Sequence, residues 1–403
     1  LTYESLLLTS FGDDMPLNYA SVDNAAQKYA EQALKWQAQN QENAKQLRNL
    51  FTEASADPKR LRELIEFAEQ EQNTLYAAKP LNEDPLRSFP ITTLPEKYSL
   101  IAADGSQIVP SRHRSLQFGL VNVGLFKVCF GSMEAPEIKL VSTLLDYDEI
   151  VAEDNTLLGE DDISLNRDLK ERSLIRDEVS PQLPRPVLTL TDGPLDLFYR
   201  SNIKGPTARK AQKQVFDLDQ EMQKEGILSA GYIDKPGSAL IHKMLDEYCR
   251  VQGLSKPELN SKKAQVSDRI LLAKIIKPSE RSALFEIVSK QAGNLSDRLK
   301  VAFFYLNVST SEEQPWLARV EIPLWIAENP ELVSFIHSAI FQDAQVLDSH
   351  PYPYSLHRSH ELAIMKQNEV DELENILLSK IPPESGFIAT RSNKAHAKEL
   401  TGK

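Results

Sequence analysis

Two apolar runs in this chain each close on an Asp-Gly pair, and they constrain the fold more than any other feature. The first is Ser99-Leu100-Ile101-Ala102-Ala103-Asp104-Gly105, and the second is Val187-Leu188-Thr189-Leu190-Thr191-Asp192-Gly193. An uncharged run of this length reads as a buried strand. The aspartate then lies at its C-terminal edge, and glycine permits a sharp turn after it. Two strand-end carboxylates that meet in space make a site for a hard divalent cation and point to metal-dependent phosphoryl chemistry.

The order of the remaining segments gives the architecture. A heptad-like seam of Val22, Ala26, Tyr29, Ala33, Trp36, Asn40, Asn43, Leu47 and Leu50 predicts a helix over Ala20 to Phe51, with Ser21 as its N-cap. Asp57-Pro58 opens a second helix by cap and first-turn proline, which completes a helical hairpin. The seam is expected to pack on the chain's own core or to meet a dimer mate or partner. The proline-rich stretch Asn82 to Pro95 reads as a linker. Strands are expected over Ser99–Ala103, Leu116–Val123, Phe126–Phe130, Ile138–Val141, Val187–Thr191, Ile227–Ile233, Val301–Val308 and Trp316–Ile322. Helices are expected over Leu165–Glu178 and Ala208–Glu225, from Asn329-Pro330-Glu331 onward, and over Ser355–Leu378. An acidic loop runs from Asp146 to Asp162. A strand meander, a helix and a further buried strand in this order predict an α/β fold: a ribonuclease H-like mixed sheet flanked by helices, with the helical hairpin ahead of it. The corresponding boundaries are a helical extension over 1–80, a main domain over 96–380 and a basic tail over 381–403.

Composition narrows the function classes. The 403 residues carry a net charge of −12, and a protein that coats duplex DNA by its overall field is usually basic. DNA capture then requires a local basic groove, an enclosed channel or a partner. Lys204, Arg209, Lys210 and Lys213 form one basic cluster, and Lys256, Lys262, Lys263, Arg269, Lys274 and Lys277 form another. Only Cys129 and Cys249 are present, which argues against a disulfide scaffold or zinc ribbon and fits a reducing cytoplasm. No apolar run is long enough for a membrane helix, and the first residues lack the pattern of a secretory signal. Walker, nucleophile-elbow and dinucleotide-binding glycine patterns are absent, so ATP hydrolysis, serine hydrolysis and nicotinamide redox chemistry lack support.

Asp104 and Asp192 are therefore the leading metal-ligand candidates, although Asp-Gly also simply makes turns. Ser106 either orients a ligand or satisfies the first turn. A third carboxylate is expected from the helix before the second strand, where Glu171 and Glu178 are rivals seven residues apart. Lys235, just past the Ile227–Ile233 strand, is placed to contact a scissile phosphate, and Tyr232 to stack on a base. His360 is a candidate acid or base, metal ligand or phosphate contact, and His357 shares its helix.

The ordered set Ala103-Asp104-Gly105-Ser106-Gln107, Arg167 to Glu171, Thr191-Asp192-Gly193-Pro194-Leu195, Gly231 to Pro236, Arg319-Val320-Glu321-Ile322-Pro323-Leu324-Trp325, and Pro351-Tyr352-Pro353-Tyr354 through His360-Glu361 resembles the NurA nuclease family. The resemblance implies a ribonuclease H-like core in a homodimer built around a central channel. It implies a manganese- or magnesium-dependent DNA nuclease with two ions per site and with 5'-to-3' exonuclease and single-strand endonuclease activities. It also implies work with HerA, a hexameric ATP-driven translocase, in end resection for recombinational repair. By motif position Asp104 and Asp192 take the strand-end metal roles, Glu171 the helical carboxylate and His360 the late histidine, with Lys235 as a charge contact. A competing reading is a non-catalytic ribonuclease H-like adaptor that docks on a DNA-translocating motor through its N-terminal seam. Residue types alone do not separate DNA from RNA as the substrate.

Overall fold

The computed structural model describes residues 19–72, 75–151, 155–195, 206–255, 266–289, 300–348 and 350–385. In chain order the first elements are α1 (Tyr19–Ala54), α2 (Pro58–Glu71), β1 (Tyr76–Pro80), β2 (Ser88–Phe89), β3 (Tyr98–Ile108), β4 (Leu120–Phe130) and β5 (Glu137–Leu144). Then come α3 (Tyr147–Ile150), α4 (Glu160–Glu178), β6 (Val187–Asp192), α5 (Pro206–Lys224), β7 (Ile227–Ile233), α6 (Leu240–Gln252) and α7 (Asp268–Leu272). The last are β8 (Arg281–Ser282), β9 (Phe285–Ser289), β10 (Val301–Asn307), β11 (Leu317–Pro323), α8 (Leu324–Ala327), α9 (Pro330–Ala344), α10 (Tyr354–Ala363) and α11 (Gln367–Ser379).

All the described strands join one mixed sheet whose main path runs β1-β9-β10-β11-β7-β6-β3-β4-β5. Strands β3, β4 and β5 form an antiparallel meander, and β6 and β7 then add parallel to β3. The order β5-β4-β3-β6-β7 is the ribonuclease H-like core, and it is extended by the antiparallel set β11, β10, β9 and β1.

Alternation along the central strands divides the core between two faces. Leu100 and Ala102 of β3, Leu188 and Leu190 of β6 and Ala230 and Tyr232 of β7 pack with Val333, Ile336 and Ile340 of α9 and Leu356 of α10. On the opposite face Ile101 and Ala103 of β3 meet Ile163, Leu174 and Ile175 of α4. Farther along that face, Phe303 and Tyr305 of β10 meet Leu47 and Phe51 of α1, Ile65 of α2 and Leu245 of α6. Because β1 pairs with β9, the segment expected as a separate helical extension shares its sheet with the rest of the chain.

Several local expectations change. The first Asp-Gly pair makes no turn: Asp104, Gly105 and Ser106 lie inside β3, paired with Gly124, Val123 and Asn122 of β4. Pairing with β6 ends at Ala103, so the aspartate sits where one neighbour stops and the other continues. The two strands expected on either side of Gly124 are one continuous strand. The single late helix is two, α10 and α11, separated after Ala363. Ser21 lies within α1 rather than capping it. Asp57 and Asn329 cap α2 and α9 as expected, accepting from the Arg60 and from the Glu331 and Leu332 amides. The α1 seam is buried only from Asn40 onward, whereas Tyr29 and Trp36 are 73% and 63% exposed. The Asn82–Pro95 stretch is tied to the sheet through β2, and Glu83 grips Arg281 at 2.7 Å. No described helix is long and apolar enough to cross a membrane.

Candidate active site

Asp104 and Asp192 emerge side by side. The last parallel pair between β3 and β6 is Ala103 with Thr191, so the next residue of each strand is one of the two aspartates. Alternation puts both on the face that carries α9 and α10. Here Gly193 does turn the chain, at φ +97°, and its amide donates to the Tyr232 carbonyl at 2.8 Å.

His360 reaches this edge from α10, with Nδ1 2.6 Å from Asp104 Oδ2. The helix is fastened to the sheet close by. Ser359 Oγ donates to the Ala102 carbonyl at 3.0 Å, Asn122 Nδ2 donates to the Ala363 carbonyl at 2.9 Å, and Ser106 Oγ donates to that same carbonyl. Gly124, the register partner of Asp104, leaves room for the approach: a β-carbon there would lie 2.7 Å from Leu362 Cβ and 3.0 Å from the Ala363 nitrogen.

Glu171 arrives from α4 on the opposite face and is 4% exposed. It passes over Gly105, where a β-carbon would meet Glu171 Oε1 and Arg167 Cγ, each at 2.7 Å. That close approach is why the residue after Asp104 has no side chain. Glu171 Oε1 lies 3.1 Å from Arg167 Nε, an ion pair without hydrogen-bond alignment. Burial, then Asp168 and Asp104, push the Glu171 carboxyl well above the usual carboxylate range, against the pull of Arg167 and Arg172. Burial and then Asp104 likewise push Asp192 up to about 6, although the Tyr352 hydroxyl bonded to it acts the other way. Tyr352 packs edge-on against buried Tyr232, with ring centroids 5.5 Å apart. It is a site residue that sequence reasoning passed over, although it sits in the Pro-Tyr-Pro-Tyr motif; only the folded chain brings it to Asp192.

Glu178 stands elsewhere, bound by Lys139 at 2.6 Å and Lys127 at 3.2 Å, and these contacts hold its carboxyl below the usual range. Lys235 is exposed, with φ +46° and its ammonium 5.8 Å from the Trp316 ring centroid. Tyr232 is fully buried and is not available to stack on a base. His357 pairs with Glu361 at 3.5 Å on its own helix. Arg114 is tied to Glu374 at 3.0 Å. Of the two basic clusters, Lys204, Lys256, Lys262 and Lys263 lie outside the described residues, and Lys213 pairs with Asp217 at 3.0 Å.

The donor set suits a hard divalent cation in kind. Asp104 raises the proton affinity of both Glu171 and Asp192, and Glu171 carries a buried oxygen without a hydrogen bond, a demand that a cation satisfies. Among the described residues, however, no three His, Cys, Asp or Glu side chains converge closely enough to hold a metal ion. The two aspartates and Glu171 come from opposite faces of the sheet, with Arg167 beside the glutamate, so closing around an ion requires side-chain rearrangement at the strand edge.

No curated protein matches the chain significantly. Among solved structures, the NurA nuclease from Sulfolobus solfataricus matches with 13% identity and a TM-score of 0.46, over 86% of this chain and 99% of that one. Endonuclease V from Ciona intestinalis, solved with a 24-mer DNA containing an inosine followed by a ribo-adenosine, matches with 11% identity and a TM-score of 0.29, over 70% of this chain and 87% of that one. The catalytic domain of human endonuclease V matches with 12% identity and a TM-score of 0.28, over 81% and 97%. The NurA domain model matches residues 98–364, from the start of β3 to the residue after α10, a span that takes in both aspartates, Glu171, Tyr352 and His360, and the chain belongs to the NurA family.

Proposed function

We propose that this chain is a divalent-metal-dependent deoxyribonuclease that hydrolyses phosphodiester bonds, with 5'-to-3' exonuclease and single-strand endonuclease activities. The observation that carries the reading is the adjacency of Asp104 and Asp192 at the edge of parallel strands, with Glu171 brought to the same edge over Gly105. Asp104, Asp192 and Glu171 are the residues to hold manganese or magnesium, two ions per site. When bound, such ions lower the pKa of water and stabilise charge on the leaving oxygen. The chain's own residues supply the rest. Tyr352 orients the Asp192 carboxylate through its hydroxyl. His360, bonded to Asp104 and still largely exposed, presents its other ring nitrogen to hold a proton near the substrate phosphate. Lys235, exposed just past β7, contributes a backbone-phosphate contact.

The negative net charge disfavours unaided capture of long DNA. Membership of the NurA family supports a homodimer that receives DNA from a HerA-type hexameric ATPase, in end resection and recombinational repair in the cytoplasm, and delivery by such a partner removes the need for capture by the overall field. The test is cleavage of labelled single-stranded and duplex DNA with manganese, magnesium or chelator. Wild type is expected to cut with manganese, and Asp104→Asn or Asp192→Asn to lose at least about a thousandfold in rate with the fold retained. Unchanged rates in both variants would refute the site. No cleavage by wild type with any divalent metal would favour the adaptor reading.

A further inference from the structure

Beyond the carboxylates, a buried polar assembly grips the residue three positions after Asp192. The Leu195 amide donates to Glu321 Oε2 of β11 at 2.9 Å, and its carbonyl accepts from Arg172 Nη2 of α4 at 3.1 Å. Arg172 is the neighbour of Glu171 on the helix. Both peptide groups of Leu195 are thus held by charged side chains, one from the sheet and one from the helix that carries the third carboxylate.

The sheet is shaped for this contact. Glu321 pairs across strands with Gly231 of β7, and Gly231 in turn with Thr191 of β6. A β-carbon at Gly231 would lie 2.6 Å from the Gly193 carbonyl oxygen and 3.1 Å from the Leu195 nitrogen. The missing side chain is the space into which the Gly193–Leu195 turn settles, within reach of Glu321 on the same face. Glu321 is itself fixed from behind: it is 1% exposed and lies 2.7 Å from Arg319 Nη2. Arg319 donates to Ser238 Oγ at 2.6 Å. Ser238 Oγ meets the Tyr305 hydroxyl at 3.2 Å, and Tyr305 donates to Asp268 at 2.9 Å. Asp268 accepts from the Leu240 and Ile241 amides at 2.8 Å and 3.0 Å, which anchors the chain of contacts to the start of α6.

A buried carboxylate costs several kcal/mol unless it is paired and bonded. Stability alone is served as well by apolar residues in these places. A buried charge aimed at a backbone amide gives direction, and the segment it directs begins with Asp192. We propose that Glu321 and Arg172 are positioning residues that clamp the Leu195 peptide, setting the Asp192 carboxylate in register with Glu171. The proposal rests on the nuclease reading for its catalytic consequence but not for its structural one.

The test uses the single variants Glu321→Ala and Arg172→Met and their double variant in the full chain, with Glu321→Gln as the conservative control. Amide hydrogen exchange, measured without DNA or metal, is expected to rise at least tenfold at residues 190–195 in each single variant, with β4 and α9 unchanged. In steady-state cleavage with manganese, Arg172→Met is expected to lose about a hundredfold in kcat at unchanged KM, as about 1 Å of misplacement can cost. Glu321→Gln, which keeps an acceptor for the Leu195 amide, is expected to lose less than Glu321→Ala. The double variant is expected to fall no further than the poorer single, because a clamp needs both ends. Exchange confined to its wild-type level, wild-type kcat in both singles, or multiplicative losses in the double overturn the proposal. If wild type itself fails to cleave, the nuclease reading falls while the exchange result still decides the clamp.

Discussion

Replacing Gly124 with alanine isolates what holds His360 against Asp104. The new methyl would meet Leu362 Cβ at 2.7 Å and the Ala363 nitrogen at 3.0 Å, with the Ser359 carbonyl nearer still. These atoms belong to the last turns of α10, and two are backbone, so no rotamer change relieves them. Ordinary carbon contact begins near 3.5 Å, which asks the helix to retreat by roughly 0.8 Å. The His360–Asp104 contact is 2.6 Å, and a retreat of that size takes it past the useful hydrogen-bond range. Overpacking of this kind costs about 1–3 kcal/mol, offset by about 0.4–1 kcal/mol from the stiffer unfolded chain. The net expectation is a loss of about 1–2 kcal/mol in urea denaturation, together with a cleavage rate lower by tenfold to about a hundredfold. Stability and manganese-dependent cleavage are measured on the same preparation. A variant as stable and as active as wild type would show that the glycine does not set the helix, and the account of how His360 is placed would fail.

Further expectations follow from the charged groups. Glu171→Gln is expected to lower cleavage at least about a hundredfold, whereas Glu178→Gln, whose carboxylate serves only Lys127 and Lys139, should leave kcat unchanged; comparable losses in both would reopen the choice between them. Asp343 is buried at the end of α9, bonded by the Ser355 hydroxyl at 2.6 Å, and burial raises its carboxyl to about 6 from an ordinary 3.8. Its folded pKa lies above the unfolded one, so it favours folding at low pH and that contribution is lost as pH rises from about 4 to about 6. Asp343→Asn should remove this dependence and raise stability at pH 7 relative to wild type by on the order of 1–3 kcal/mol, read from melting curves across pH; equal curves for both proteins would contradict it.

Much of the frame is legible in the chain alone. Uncharged, β-branched runs such as Val187–Thr191 read as buried strands and fold as such, and the caps Asp57 and Asn329 mark helix starts because the side chain answers a local orphan amide. The second Asp-Gly pair turns as written, since Gly193 takes up a positive φ. The first does not, because β4 continues to supply hydrogen-bond partners to Asp104, Gly105 and Ser106 after β6 has stopped. Propensity reports on a residue and its neighbours in sequence, whereas a strand is ended or prolonged by the strand beside it. The same limit hid β1 and β9, which form one edge of the sheet only by pairing with each other.

At the site, residue type and order bring forward Asp104, Asp192 and His360 with a helical carboxylate, since carboxylates at strand ends and a late histidine are written plainly. Whether the helical carboxylate nearest Asp104 is Glu171 or Glu178 is not, because both lie on one helical stripe. Tertiary packing separates them: Gly105 admits Glu171 to the edge, while two lysines of β4 and β5 hold Glu178 away from it. Tyr352 at Asp192, and Glu321 and Arg172 at Leu195, are likewise decided only by the fold, because each acts across more than a hundred residues or between separate layers. Sequence by itself thus determined which chemical groups are available and the strands that carry them. Close approach through Gly105, Gly124 and Gly231 decided which groups meet, since a contact between layers depends on the side chain that is missing as much as on those that touch.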